Sequence, residues 1–70
     1  MKIVSLNANG IRAASRKGFF AWLDKNQPDI ICLQETRIQI EQLIEDYLPK
    51  GYHNTYIEAE KKGYSGVAIF

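Results

Sequence analysis

An α/β fold of order β-α-β-α-β-β is predicted by three features of the chain. Short apolar runs at Lys2–Leu6, Asp29–Leu33 and Gly66–Phe70 have the length of buried strands. Between the first two, apolar residues recur at helical spacing. Strand, helix and strand within about thirty residues make a βαβ unit, expected to be right-handed. Its two strands then run parallel and end on the same edge of the sheet.

The first strand carries Ile3, Val4 and Leu6, and Asn7-Ala8-Asn9-Gly10 follows as a turn. After Ile11, Arg12, Ala13 and Ala14, Ser15 is placed to cap a helix over Gly18–Asn26. Phe19, Trp22 and Leu23, with Phe20 beside them, face the sheet from that helix, and Asn26-Gln27-Pro28-Asp29 stops it. The Ile30-Ile31-Cys32-Leu33 run has the composition of a strand buried on both faces, which makes Cys32 a buried, inert thiol. Gln39–Leu48 is expected to be the clearest helix, because Ile40, Leu43, Ile44, Tyr47 and Leu48 form one stripe opposite Glu41, Gln42, Glu45 and Asp46. Tyr52–Ala59 and Gly66–Phe70 are expected to pair as an antiparallel hairpin across a polar loop containing Lys61, Lys62, Gly63 and Tyr64.

The chain has 70 residues, one Cys, one His and a formal net charge of +1. It is at most one small domain, and an internal disulfide is excluded because Cys32 has no mate. A reducing, cytoplasmic setting fits the lone Cys32, and the apolar stretch after Lys2 is too short for a signal peptide or membrane span, so no membrane partner is expected. Phe70 falls within an apolar run. Residues 1–70 are therefore expected to be the amino-terminal part of a single domain cut within a core strand, the remainder adding strands and a covering layer.

The strand order bears directly on chemistry. Parallel neighbours bring Asn7, Asn9 and Glu35 to one rim, where ligands of open α/β sheets bind. Glu35 has two readings at this level, a site carboxylate or a solvated residue opening a loop. As a site it supplies hard oxygens, with amide oxygens from Asn7 and Asn9, which favours Mg²⁺ or Mn²⁺ over Zn²⁺. Arg12, Arg16 and Lys17 follow the Asn-rich turn and Arg37 follows Glu35. They suit either a phosphate backbone or an ordinary solvated turn. Tyr64 is placed to stack on a sugar or base or to sit half-buried in its loop. His53, at the start of the third strand, is expected at a surface or strand edge.

Three ordered blocks carry a resemblance: Lys2-Ile3-Val4-Ser5-Leu6-Asn7-Ala8-Asn9-Gly10-Ile11-Arg12-Ala13, Gln27-Pro28-Asp29-Ile30-Ile31-Cys32-Leu33-Gln34-Glu35-Thr36-Arg37 and Gly63-Tyr64-Ser65-Gly66-Val67. Together they resemble the amino-terminal part of exonuclease III-type AP endonucleases of the endonuclease/exonuclease/phosphatase superfamily. The resemblance implies a four-layered α/β sandwich, of which this chain is the amino-terminal piece. It implies Mg²⁺-dependent incision of double-stranded DNA 5′ to abasic sites, with 3′-to-5′ exonuclease and 3′-end cleaning, by a monomeric enzyme. Mn²⁺ substitutes in such sites.

By the same resemblance Glu35 is the metal carboxylate and Asn7 an active-site amide grouped with the metal, both catalytic. Asn9 stands where some relatives carry an Asp ligand. Arg12, Arg16 and Lys17 match DNA-backbone contacts, Arg37 a basic position near the metal, and Gly63 and Tyr64 a loop beside the lesion. The family's catalytic Tyr, its Asp-x-Asn pair and its Asp-His pair match nothing up to Phe70, so the chain alone is expected to be inactive. Two further readings share the fold: a non-catalytic nucleic-acid-binding regulator, and a phosphatase of the superfamily.

Overall fold

The computed structural model describes residues 1–60 and 64–70. Four strands form one mixed sheet: β1 (Ile3–Asn7), β2 (Ile30–Gln34), β3 (Thr55–Ile57) and β4 (Val67–Ile69), in the spatial order β1-β2-β4-β3. β1 and β2 run parallel, with Ile3 opposite Ile30 and Asn7 opposite Gln34. β4 pairs antiparallel with β2 on one side and with β3 on the other, as the hairpin reading requires. Two helices, α1 (Ile11–Arg16) and α2 (Phe19–Asn26), form the crossover between the parallel strands. No helix among the described residues is long and apolar enough to cross a membrane.

Side-chain alternation along the strands divides the sheet into a covered and a bare face. Ile31 and Leu33 of β2 and Ala68 of β4 are buried with Ile11, Phe19, Leu23, Ile38 and Phe70. Each fully buried Leu or Ile contributes about 1.5–3 kcal/mol through burial. On the opposite face Ile3, Ile57, Val67 and Ile69 are exposed, and Ile30 and Cys32 are half-buried. The expectation of strands buried on both faces is therefore corrected: helices cover one side only. Cys32 is correspondingly half-buried rather than sealed in the core.

Three local readings also change. Ser15 lies inside α1 and caps nothing; Gly18, at φ 95°, separates the helices and begins α2. That left-handed turn is open to glycine without steric cost. Trp22 does not join Phe19 and Leu23 in the core. It remains 41% exposed and stacks on Phe19 with ring centroids 6.3 Å apart. The i, i+4 pair Phe19 and Leu23 occupies the inner stripe, which leaves Trp22 at its edge.

The third correction is the largest. Residues 39–48 form two single 3₁₀ turns, Ile40–Gln42 and Glu45–Tyr47, joined by extended Leu43 and Ile44, not one helix. Tyr47 packs against the core, but Ile40 and Ile44 stay exposed. α1 and α2 already occupy the covered face, so a helix here would bury too little of its stripe, and a ten-residue helix without tertiary support is marginal. The segment bonds outward instead. The Ile40 N–H donates to Glu58 Oε2 at 2.7 Å, and Gln39 and Gln42 form a reciprocal capping box.

The third predicted strand is shortened to Thr55–Ile57, and Tyr52 instead donates its hydroxyl to the Pro28 carbonyl at 2.6 Å. Tyr56 is half-buried and donates its hydroxyl to the Tyr47 carbonyl at 2.7 Å.

Candidate active site

The carboxyl ends of β1 and β2 meet at one rim, and the β1–β2 ladder continues past the strands. The Ala8 N–H donates to the Gln34 carbonyl at 2.8 Å, Gly10 N–H to Glu35 O at 2.8 Å, and Ile11 N–H to Thr36 O at 2.9 Å. These bonds hold the Asn-rich turn beside residues 34–36. From the other side the approach to β4 joins the same turn: Thr36 N–H donates to Gly66 O at 3.2 Å and Arg37 N–H to Ser65 O at 2.7 Å.

The backbone at this rim is unusual. Asn9, Glu35, Arg37 and Ser65 all have positive φ, between 48° and 52°. Asn adopts this region readily, whereas Glu and Arg do so at a cost of about 1–2 kcal/mol each. Such conformations persist only where surrounding bonds hold them, and they concentrate at functional sites.

Asn7 and Glu35 are joined side chain to side chain. Asn7 Oδ1 accepts the Asn9 N–H at 2.9 Å, which turns Asn7 Nδ2 toward Glu35 Oε2 as a donor. Arg37 Nη2 donates to the other carboxylate oxygen, Glu35 Oε1, at 2.8 Å. The Asn7 hydrogen bond, followed by that of Arg37 and its positive charge, holds the Glu35 carboxyl below the usual carboxylate range. The ion pair is exposed, 44% at Arg37 and 38% at Glu35, so solvent screens it and it adds little to stability. Its effect is on the direction and charge of Glu35. A carboxylate has about four lone-pair positions, so two donors leave room for a hard cation. The Asn7 amide oxygen already serves Asn9, so Asn7 acts first on Glu35.

Arg12, Arg16 and Arg37 converge, with Asn9 and Gly10, on an open concavity of about 400 Å³. Arg12 also donates through Nη2 to the Arg37 carbonyl at 3.1 Å, tying α1 to the Glu35 turn. Lys17 faces a second concavity, of about 350 Å³, together with Asn7, Asn9, Phe19 and Trp22. The basic cluster read from sequence is thus divided between two neighbouring surfaces. Tyr64 is 60% exposed on the approach to β4. Gly63, with Lys61 and Lys62, lies outside the described residues. His53 is exposed and precedes β3, whose register places it at the end of the sheet away from Glu35. Among the described residues no group of three or more His, Cys, Asp or Glu side chains clusters.

Two residues at this rim escaped the sequence reading. Thr36 is 1% exposed, and Gly66 packs directly against it. A glycine just before an apolar strand was the available signal, since it marks a close backbone approach.

Fold and rim together define part of an α/β protein whose polar site lies beyond the carboxyl ends of adjacent parallel strands. The chain belongs to the Endonuclease/Exonuclease/phosphatase family, whose sequence profile matches residues 4–70. It is 51% identical over 71 residues to an exodeoxyribonuclease of Bacillus subtilis (strain 168), covering 100% of this chain and 27% of that protein. It is 42% identical over 69 residues to a DNA-(apurinic or apyrimidinic site) endonuclease of Dictyostelium discoideum, covering 99% of this chain and 19% of that one. The crystal structure of the Xenopus laevis APE2 catalytic domain superimposes with a TM-score of 0.80 at 47% identity, over 100% of this chain and 23% of that one. The chain thus spans about a fifth to a quarter of the length of these three relatives.

Proposed function

We propose that residues 1–70 are the amino-terminal part of one domain of a Mg²⁺-dependent DNA-repair nuclease. Its reaction is hydrolysis of a phosphodiester 5′ to an abasic site, with 3′-to-5′ exonuclease and 3′-end-cleaning activity, on double-stranded DNA. The observation that carries this reading is the Asn7–Glu35–Arg37 arrangement, an exposed, ionised carboxylate held by two donors beside an arginine-lined concavity.

Glu35 fits a hard divalent cation by its donor chemistry. It offers charged oxygens on an accessible rim, with no thiolate or imidazole cluster among the described residues, the preference of Mg²⁺ and Mn²⁺. When bound, such an ion polarises the phosphoryl group and stabilises the leaving oxygen. Asn7 orients the Glu35 carboxylate and keeps it ionised, and Arg37 supplies its counter-charge. Arg12 and Arg16, with Arg37, neutralise backbone phosphates across the concavity they share, and Lys17 extends that basic surface on the Trp22 side. Tyr64, with the adjoining Gly63, is assigned to contact the duplex beside the lesion. Asn9 holds the turn through its N–H to Asn7 and flanks both concavities. The attacking water and its base are assigned to the rest of the domain, so residues 1–70 alone are inactive.

The test is Glu35→Ala in the full-length protein, assayed on an abasic duplex with Mg²⁺. Incision is expected to be abolished while duplex binding in EDTA persists. Incision at the unsubstituted rate would remove Glu35 from the reaction. A protein that binds abasic DNA but does not cleave it in either form would be the regulator instead.

A further inference from the structure

Between the left-handed residues Glu35 and Arg37 sits Thr36, whose side chain is turned inward and buried. Both of its backbone groups are bonded, the N–H to Gly66 O and the carbonyl to the Ile11 N–H. Its hydroxyl Oγ1 is buried with no hydrogen-bond partner among the described residues. A buried hydroxyl in that condition costs stability and calls for a reason. The space around it supplies one. A Cβ built on Gly66 would lie 2.6 Å from Thr36 Oγ1 and 3.4 Å from the Ile57 carbonyl oxygen. Gly66 is also at φ 90°, where a side chain is strained whatever the space. Thr36 and Gly66 are therefore seated against each other with no room for another carbon.

We propose that the Thr36–Gly66 contact is a positioning device for the candidate active site, setting where Glu35 and Arg37 project. The inference rests on the assignment of Glu35 as the metal carboxylate. Neither Thr36 nor Gly66 touches metal or DNA; both act through the residues on either side of Thr36. With Thr36 drawn inward, the two left-handed neighbours carry their side chains outward, where they meet each other and Asn7. The approach to β4 clamps this turn through the bonds from Thr36 and Arg37 to Gly66 and Ser65. A methyl on Gly66 must displace either Thr36 or the approach to β4. In both cases the Glu35 carboxylate moves relative to Asn7, and Arg37, whose carbonyl accepts from Arg12, moves with the turn.

The experiment is a double-mutant cycle in the full-length protein with three readouts: kcat on an abasic duplex, Mn²⁺ affinity by electron paramagnetic resonance, and duplex Kd in EDTA. Gly66→Ala is expected to lower kcat about 100-fold, the scale of a 1 Å misplacement, and to weaken Mn²⁺ binding, with a much smaller loss in duplex affinity because Arg37 is one of several basic contacts. Thr36→Ala removes Oγ1 and loosens the turn, so alone it lowers kcat by about tenfold. The double variant is expected to recover part of the loss seen in Gly66→Ala, because the collision with Oγ1 is gone while the strain of a side chain at φ 90° remains.

If Gly66→Ala does not fold, as judged by circular dichroism, Thr36→Ala must still weaken Mn²⁺ binding by a larger factor than it weakens duplex binding. Unchanged Mn²⁺ affinity in both single variants overturns the proposal, as does a double variant no better than Gly66→Ala. Glu35→Ala run alongside separates the two ideas. If Glu35→Ala is active, the assignment of Glu35 fails; if Glu35→Ala is inactive and Gly66→Ala is normal, only the positioning role fails.

Discussion

Asn7 and Glu35, 28 residues apart in sequence, meet through a hydrogen bond from Asn7 Nδ2 to Glu35 Oε2 at the end of two parallel strands. The bond is the largest influence holding the Glu35 carboxyl below its ordinary value. In a carbon-detected NMR pH titration Glu35 is expected to titrate below the ordinary glutamate value, and Asn7→Ala to move it upward. A group whose native pKa is depressed stabilises the fold above its unfolded pKa, and that contribution disappears as pH falls through the native value.

Arg12, Arg16 and Arg37 share one concavity, so their contribution to DNA affinity is expected to be electrostatic. Arg16→Ala should weaken duplex binding alike for abasic and intact DNA and reduce the slope of log K against log salt by about 1. Fluorescence anisotropy over a salt series measures both. An unchanged slope would place Arg16 outside the phosphate contacts.

Tyr56 is set apart from the exposed tyrosine Tyr64 by burial and by the neighbouring Tyr47, which together raise its pKa above the ordinary value. Ultraviolet difference titration is expected to show a tyrosine that ionises only as the protein unfolds in alkali, and Tyr56→Phe to remove it. The native state keeps this proton after the unfolded chain has begun to lose it near pH 10, so stability falls as pH rises beyond that point.

Leu23 is 1% exposed at the centre of the core. Leu23→Ala is expected to destabilise the fold by about 2–5 kcal/mol, measurable by urea denaturation. The bare face predicts a different failure. Prepared as residues 1–70 alone, the chain should melt broadly and self-associate through Ile57, Val67 and Ile69. Ile57→Lys with Ile69→Lys should shift it to monomer in sedimentation velocity. A sharp, cooperative melt of an unsubstituted monomer would contradict the expectation.

How much of this was legible in the sequence differs by element. The parallel pair was, because apolar runs bounded by Asn7 and by Asp29 have few other folds available. The meeting of Asn7 with Glu35 followed from that topology, and the hairpin followed from two β-rich runs around a polar loop. Residues 39–48 were not legible. Their stripe at Ile40, Leu43, Ile44 and Tyr47 satisfies helical periodicity, but periodicity does not record whether any surface is left to receive it. The division of Arg16 from Lys17 was hidden for a related reason, since it depends on α1, too short at six residues for a pattern to declare itself. Thr36 was invisible because a buried polar residue between two exposed charged ones leaves no apolar signal.

The place of β4 between β2 and β3 also has a temporal meaning. On the ribosome β1 and β2 emerge first, but the turn at Glu35 acquires its second clamp only when Ser65 and Gly66 leave the exit tunnel. About thirty residues must be translated in that interval, roughly two to six seconds at ordinary elongation rates. The nascent chain therefore carries its Glu35 turn unlocked while the local crossover is free to form, and this rim is among the last parts of the segment to set.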